Sequence, residues 1–242
     1  MLIPFGLVLA TGILFAFSAL QWSREKKVRL RNGEHVPLFL QRPGSREILP
    51  DGPARWLAIK GHNVENVQAA LGLQHAIPCT WEDGLIEARD HKLFVSPPIS
   101  GWILVFGSDL PEPSDDVDAC FHFLSRLSRQ LGHVQYFSSN RVVGNHSWAL
   151  VDQGRVFRAY AWAGDTLWNE GVQTAAEKDL VMRCFDYCSD QPIFGQKEAV
   201  FANAEKIHRL AQRWSIDPAS VSEDYWTARL GLLGEPSHLR SI

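Results

Sequence analysis

The feature that most limits this chain is a run near its start. Leu2 to Trp22 (LIPFGLVLATGILFAFSALQW) carries no charged side chain. As a helix such a run rises roughly 31 Å, enough to cross a hydrocarbon core. No polar face interrupts it, so a helix buried in a globular core is the weakest reading. SREKKVRLR follows, with Arg24, Lys26, Lys27, Arg29 and Arg31 against one acid, Glu25. Basic residues stay on the cytoplasmic side, so the N-terminus is expected outside and residues 23–242 inside. The rival is a cleaved signal peptide, supported by the small-residue site Ala16-Phe17-Ser18. It is disfavoured by the missing basic n-region and the length of the apolar run. Gly6 and Gly12 lack GxxxG spacing and give no dimer signal.

Residues 23–54 read as a basic juxtamembrane tether. Gly33, Pro37, Pro43, Gly44, Pro50, Gly52 and Pro53 punctuate it, and no apolar period persists beyond a brief extended piece at Val36–Leu40. Its basic residues suit anionic lipid head groups. Residues 55–242 are long enough for one domain with a real core. Net charge is −3, which gives no field that would draw nucleic acid.

Periodicity orders the domain. Arg55–Lys60 alternates as a strand. A helix capped by Asn63 and ended by Gly72 follows, and a short helix starts at the Thr80–Asp83 cap. Lys92–Val95 and Gly101–Gly107 are strands. Val117, Phe121, Leu124, Leu127 and Leu131 mark a helix capped by Ser114 or Asp115, and His133–Ser138 is a strand. This β-α-β-β-α-β order predicts a two-layer, ferredoxin-like antiparallel sheet. A β-hairpin extends it, His146–Val151 and Arg155–Trp162 around Asp152-Gln153-Gly154, read as a three-residue loop with a G1 bulge. Thr166–Glu170 adds a strand. Helices are expected over Thr174–Cys184, Ala199–Trp214 and from Asp217-Pro218. The fold class is therefore α+β, with an N-terminal transmembrane helix, the extended sheet and C-terminal helices.

Chemistry is sparse. G-x-G-x-x-G, the P-loop, H-E-x-x-H and G-x-S-x-G are absent, and the motifs assign neither cofactor nor metal. Glu87, Asp90 and Lys92 are the residue types of metal-dependent nuclease sites, but read best as a solvated charged turn. Cys79, Cys120, Cys184 and Cys188 form no C-x-x-C pair; Cys184 and Cys188 could share a helix face, yet no zinc-site partner follows. Four reduced thiols is the preferred reading. Cys79, just before a helix start, is the one with a reason to be reactive, and His146 could pair with it. Asn145-His146-Ser147 fits a glycosylation sequon, disfavoured at a cytoplasmic strand start. Most of the strand tryptophans (Trp56, Trp102, Trp148, Trp162, Trp168) are expected in the core.

The hairpin gives the one candidate ligand site. Pairing Leu150 with Val156, Trp148 with Arg158 and His146 with Tyr160 puts Ser147, Ala149, Val151, Phe157, Ala159 and Ala161 on a helix-packed face. His146, Trp148, Arg158 and Tyr160 then share the other face with Leu150, Val156 and Trp162. They could stack a planar ligand or hold an anion in a pocket under the C-terminal helices, but the favoured reading is that those helices cover the face and make it packing, because so apolar an exposed patch is rare. Two functional readings follow. The first is a single-pass, membrane-tethered cytoplasmic binding or regulatory module without evident catalysis. Its partners would be the lipid bilayer and another membrane or cytoplasmic protein, without nucleic acid. The second is a small membrane-associated hydrolase using Cys79 with His146 or an acidic metal site, or an exported domain after signal cleavage. No catalytic set is assigned, and oligomeric state stays open.

Overall fold

A computed structural model describes residues 55–187 and 196–237. The apolar run 2–22, the tether 23–54 and Cys188 lie outside them. Among the described residues no helix is long and apolar enough to cross a membrane.

The chain is α+β, built on one antiparallel sheet. Its strands are β1 (Arg55–Lys60), β2 (Leu73–Cys79), β3 (Leu93–Val95), β4 (Trp102–Phe106), β5 (Val134–Asn140), β6 (Asn145–Asp152), β7 (Arg155–Trp162), β8 (Thr166–Glu170) and β9 (Gly231–Pro236). They lie in the order β2-β9-β3-β4-β1-β5-β6-β7-β8. The helices are α1 (Val64–Leu71), α2 (Trp81–Glu87), α3 (Val117–Leu131), α4 (Ala175–Asp179), α5 (Gln196–Trp214) and α6 (Glu223–Ala228).

Alternation along the strands feeds two cores. In β1, Leu57 and Ile59 face α1 and α3, where Val67, Leu71, Cys120, Phe123, Leu124 and Leu127 complete the first core. Trp56 and Ala58 face the other way, onto α2, α5 and α6, with Trp81, Leu85, Ile207, Leu210 and Trp226. A strand buried on both faces keeps apolar residues at every position, and LAI in β1 and ILVF in β4 do so. Helices thus cover both faces, so the two-layer expectation is corrected to three layers. The C-terminal helices bring a second amphipathic surface that needs a sheet face of its own.

Caps set the helix starts. Asn63 accepts from the Asn66 amide at 2.8 Å, and Gly72 closes α1 in the left-handed conformation at φ 62°. Helix α3 is capped by Asp116, not Ser114 or Asp115; its Oδ1 accepts from the Ala119 amide at 2.8 Å. The helix expected over Thr174–Cys184 shrinks to the single turn α4, because Val181 takes φ 52° and breaks it. Asp217 does cap the next turn, but Pro218–Ser220 is a 3-10 turn.

Two strands escaped the periodicity. Leu73–Cys79 bears Pro78 and a positive φ at His75, which interrupt alternation; these also blunt an edge strand against pairing with other chains. Gly231–Pro236 carries two glycines and a proline.

The β6–β7 hairpin forms, with a shifted register. The turn is two residues long: Gln153 and Gly154 both have positive φ, and Asp152 pairs with Arg155. Leu150 then pairs with Arg158, Trp148 with Tyr160 and His146 with Trp162. The bulge lies within β7 at Phe157, which turns outward, 53% exposed, while Val156 joins the first core. Gly171, at φ 75°, abuts this bulge: a Cβ there would lie 2.1 Å from the Phe157 carbonyl oxygen. Gly171→Ala is therefore expected to destabilise the domain by more than about 1 kcal/mol, measured by urea unfolding.

Candidate functional site

The structure brings His146, Trp148, Arg158 and Tyr160 together on one sheet face. None lines an open pocket: each is at most 1% exposed, beneath α5 and the segment around α4. The face is a sealed core with polar members, as in the reading that the C-terminal helices cover it.

Glu177, itself fully buried, is the centre of that core. Its Oε1 accepts from Arg158 Nε at 2.7 Å and from Trp148 Nε1 at 2.8 Å. Its Oε2 accepts from the Thr174 amide at 2.7 Å and the Thr174 hydroxyl at 2.9 Å. One carboxylate therefore closes the capping box of α4 and neutralises a buried guanidinium. Arg158 spends its other donors on Asn169 Oδ1 at 2.8 Å and on the Ala159 and Glu170 carbonyls. Its Nη2 reaches Cys184 Sγ at 3.1 Å. That sulfur stays a thiol: burial pushes its pKa up to about 11 despite the guanidinium. Tyr160 stacks near Trp148 and accepts from the Phe185 amide at 3.2 Å. The signal for Glu177 was in the sequence as Thr174-Ala-Ala-Glu177, a capping-box spacing the helix periodicity overran.

His146 is held neutral. Its ring lies beside Trp148, and Nδ1–H donates to the Gly144 carbonyl at 2.8 Å. Nε2 accepts from Asn203 Nδ2 at 3.3 Å. Asn203 cannot turn round, because its Nδ2 donates to the Arg183 carbonyl at 2.6 Å while its Oδ1 accepts the Arg183 amide at 2.9 Å. Burial lowers the imidazole pKa to about 4, against a small upward pull from the Gly144 bond.

Cys79 and His146 do not form a pair. They sit on strands six positions apart in the sheet, about 29 Å at ~4.8 Å per strand. The Cys79 thiol is pushed up to about 11 by burial and by the Asp83 carboxylate. That outweighs the helix start after Thr80, so Cys79 is a protonated thiol and the reactive alternative is set aside for the preferred one. Lys92 and Glu87 form a surface ion pair at 2.6 Å, the charged turn foreseen. Among the described residues no group of three or more His, Cys, Asp or Glu could hold a metal ion.

An open concavity among the described residues lies elsewhere. A cleft of about 370 Å³ opens between the β3–β4 turn and the chain after α5. Ile99 and Ser100 form one wall; Gln212, Ser215, Asp217, Ser220, Ser222 and Tyr225 supply its polar groups. Asp217 is fixed there by His208 Nδ1 at 2.7 Å, and the His208 ring stacks on Trp56 at 5.0 Å. Sequence reading missed it because its walls are short loops joined only in the fold. With this geometry in hand, comparison of the chain with protein-family models, curated proteins and solved structures yields no match.

Proposed function

We propose that this chain is a single-pass membrane-tethered binding module, whose ligand is a small polar molecule held in the distal cleft. The observation that carries the reading is the lining: four serine hydroxyls, the Gln212 amide and the Asp217 carboxylate, with Ile99, Ile216 and Val221 between them. Ser215 and Ser220 donate to the Ala211 and Asp217 carbonyls, so toward the cleft they offer acceptors, and the lining holds no cation. It suits a neutral hydroxyl- or amide-rich ligand, such as a sugar or polyol. Lys60 pairs with Trp102, so the β3–β4 turn is at the opposite end of the sheet from Arg55, where the tether joins. The tethering rests on Leu2–Trp22 and the basic residues behind it. We also infer that β3-β4-β1-β5, with α1 and α3 on one face, is a ferredoxin-like unit. Support comes from the strand order and the wholly antiparallel pairing. Strands β2 and β9 extend it on one side and β6–β8 on the other.

The test is a thermal-shift and calorimetric screen of the full chain against sugars and polyols. Ser222→Tyr serves as the blocked control. Ser222 is exposed and makes no side-chain cap bond, so the ring fills the cleft without unfolding α6. A ligand that raises the melting temperature of the wild type and not of Ser222→Tyr meets the expectation. Equal shifts in both would remove the cleft from the reading.

A further inference from the structure

We infer that the cleft takes an uncharged polyol as a hydrogen-bond donor, with a ligand hydroxyl seated on Asp217 Oδ2. The inference rests on the cleft-binding reading and narrows its ligand class.

The carboxylate comes first. Asp217 lies in the cleft wall, and its Oδ1 accepts from His208 Nδ1 at 2.7 Å and from the Ala219 amide at 3.0 Å. A carboxylate only accepts, so the imidazole Nδ1 carries the proton. The imidazole is itself held by its stack on Trp56. Two donors on one oxygen keep the group in one orientation. Oδ2 meets no donor among the described residues and reaches solvent, so its lone pairs are open to what enters the cleft.

The hydroxyls of the wall point the same way. Ser220 Oγ donates to the Asp217 carbonyl at 2.7 Å and Ser215 Oγ to the Ala211 carbonyl at 3.4 Å. Their protons are spent on the backbone, and what they present to the cleft is lone pairs. The Tyr225 hydroxyl is spent as well: it donates to the Pro98 carbonyl and accepts from Arg229 Nη1 at 3.2 Å. Its ring remains as apolar wall beside Ile99 and Val221. Among the lining side chains, Gln212, Ser100 and Ser222 can still donate. The ligand must therefore supply most of the donors while accepting a few bonds, and a hydroxyl does both.

Charge narrows the class further. An acid or a phosphate ester would face Asp217 with no lining cation to offset it. An amine would approach Arg229, whose guanidinium already stands 5.0 Å from the Tyr225 ring. An uncharged hydroxyl meets neither obstacle, and its bond to an ionised acceptor is short and strong.

The experiment is ligand-observed saturation-transfer NMR on the full chain. The hydroxyl probes are D-glucose, D-mannose and myo-inositol. Fully O-methylated glucose is the twin that can only accept, glucose phosphate the anionic twin and glucosamine the cationic one. Asp217→Asn is the conservative variant. Its side-chain oxygen must stay beside His208 and Ala219, which both donate, so its amide nitrogen replaces Oδ2 and cannot accept. Asn caps a turn as Asp does, so an unchanged melting temperature is expected. At least one hydroxyl probe should bind the wild type and weaken by about tenfold or more in Asp217→Asn, the loss of one bond to a charged group. Its O-methylated, anionic and cationic twins should bind far more weakly. Binding that Ser222→Tyr abolishes and Asp217→Asn leaves unchanged overturns the seat on Asp217 while the cleft reading stands. Preference of the wild type for any of the three twins overturns the ligand class, with or without a folded variant. Transfer to none of the probes overturns the inference, and the wider thermal-shift screen then decides the cleft separately.

Discussion

Replacing Glu177 with alanine is expected to cost the domain on the order of 3–5 kcal/mol, the range for breaking a buried ion pair by removing one partner. Arg158 would remain 1% exposed with its charge uncompensated, and Trp148 Nε1 and the Thr174 amide would each lose an acceptor. Thermal or urea unfolding of the full chain reads the loss. The double variant Arg158→Met/Glu177→Leu should recover much of it, because a well-packed apolar pair removes the buried charge instead of stranding it. If Glu177→Ala unfolds within about 1 kcal/mol of wild type, the guanidinium has found another counter-charge or water, and the sealed core assigned here is wrong.

Acid is expected to weaken the domain through His146. The folded imidazole titrates near 4 and a free one near 6.5. The unfolded chain therefore binds more protons between those values, and stability falls as pH drops through that window. A shift of this size amounts to about 3 kcal/mol at full protonation, most of it lost by about pH 4 and none above about pH 7.5. The structural cause is specific: a proton on Nε2 would face the Asn203 amide, which Arg183 holds in place. His133, also lowered by burial, contributes to the same window. The readout is thus the difference in unfolding free energy between wild type and His146→Gln at pH 7.5 and pH 4.5. The wild type should lose stability more steeply. Parallel curves would mean that His146 is not held neutral by the fold.

Much of the sheet was legible because its strands are apolar runs with clean boundaries. LAI within β1, ILVF in β4 and the β6–β7 hairpin announce themselves, and Asn63 and Gly72 mark one helix at both ends. Strands β2 and β9 were not, because Pro78, the positive φ at His75 and the glycines of 231–236 mask alternation. The face on which His146, Trp148, Arg158 and Tyr160 sit was readable by parity, since a shift of two residues preserves the face. Its burial was not. That depends on Glu177 and α5 arriving from elsewhere in the chain, and a one-dimensional pattern does not say which helix covers which face. Polar residues on a strand accordingly read as packing or as a site, and their partners made them a core.

The place of β9 between β2 and β3 bears on the order of assembly. Strands β4, β1, β5, β6, β7 and β8 can pair in turn as they are synthesised, each with a neighbour already made or soon to follow. Strand β2 cannot. Its only partner among the described residues, joining Cys79 to Gly231 and Leu73 to Pro236, emerges some 150 residues later. Until then β3 presents an unpaired edge, and Ile77, 58% exposed even in the finished sheet, has no strand beside it. A chain lacking residues 231–236 would therefore leave a seam between β2 and β3, because β9 pairs with both at once.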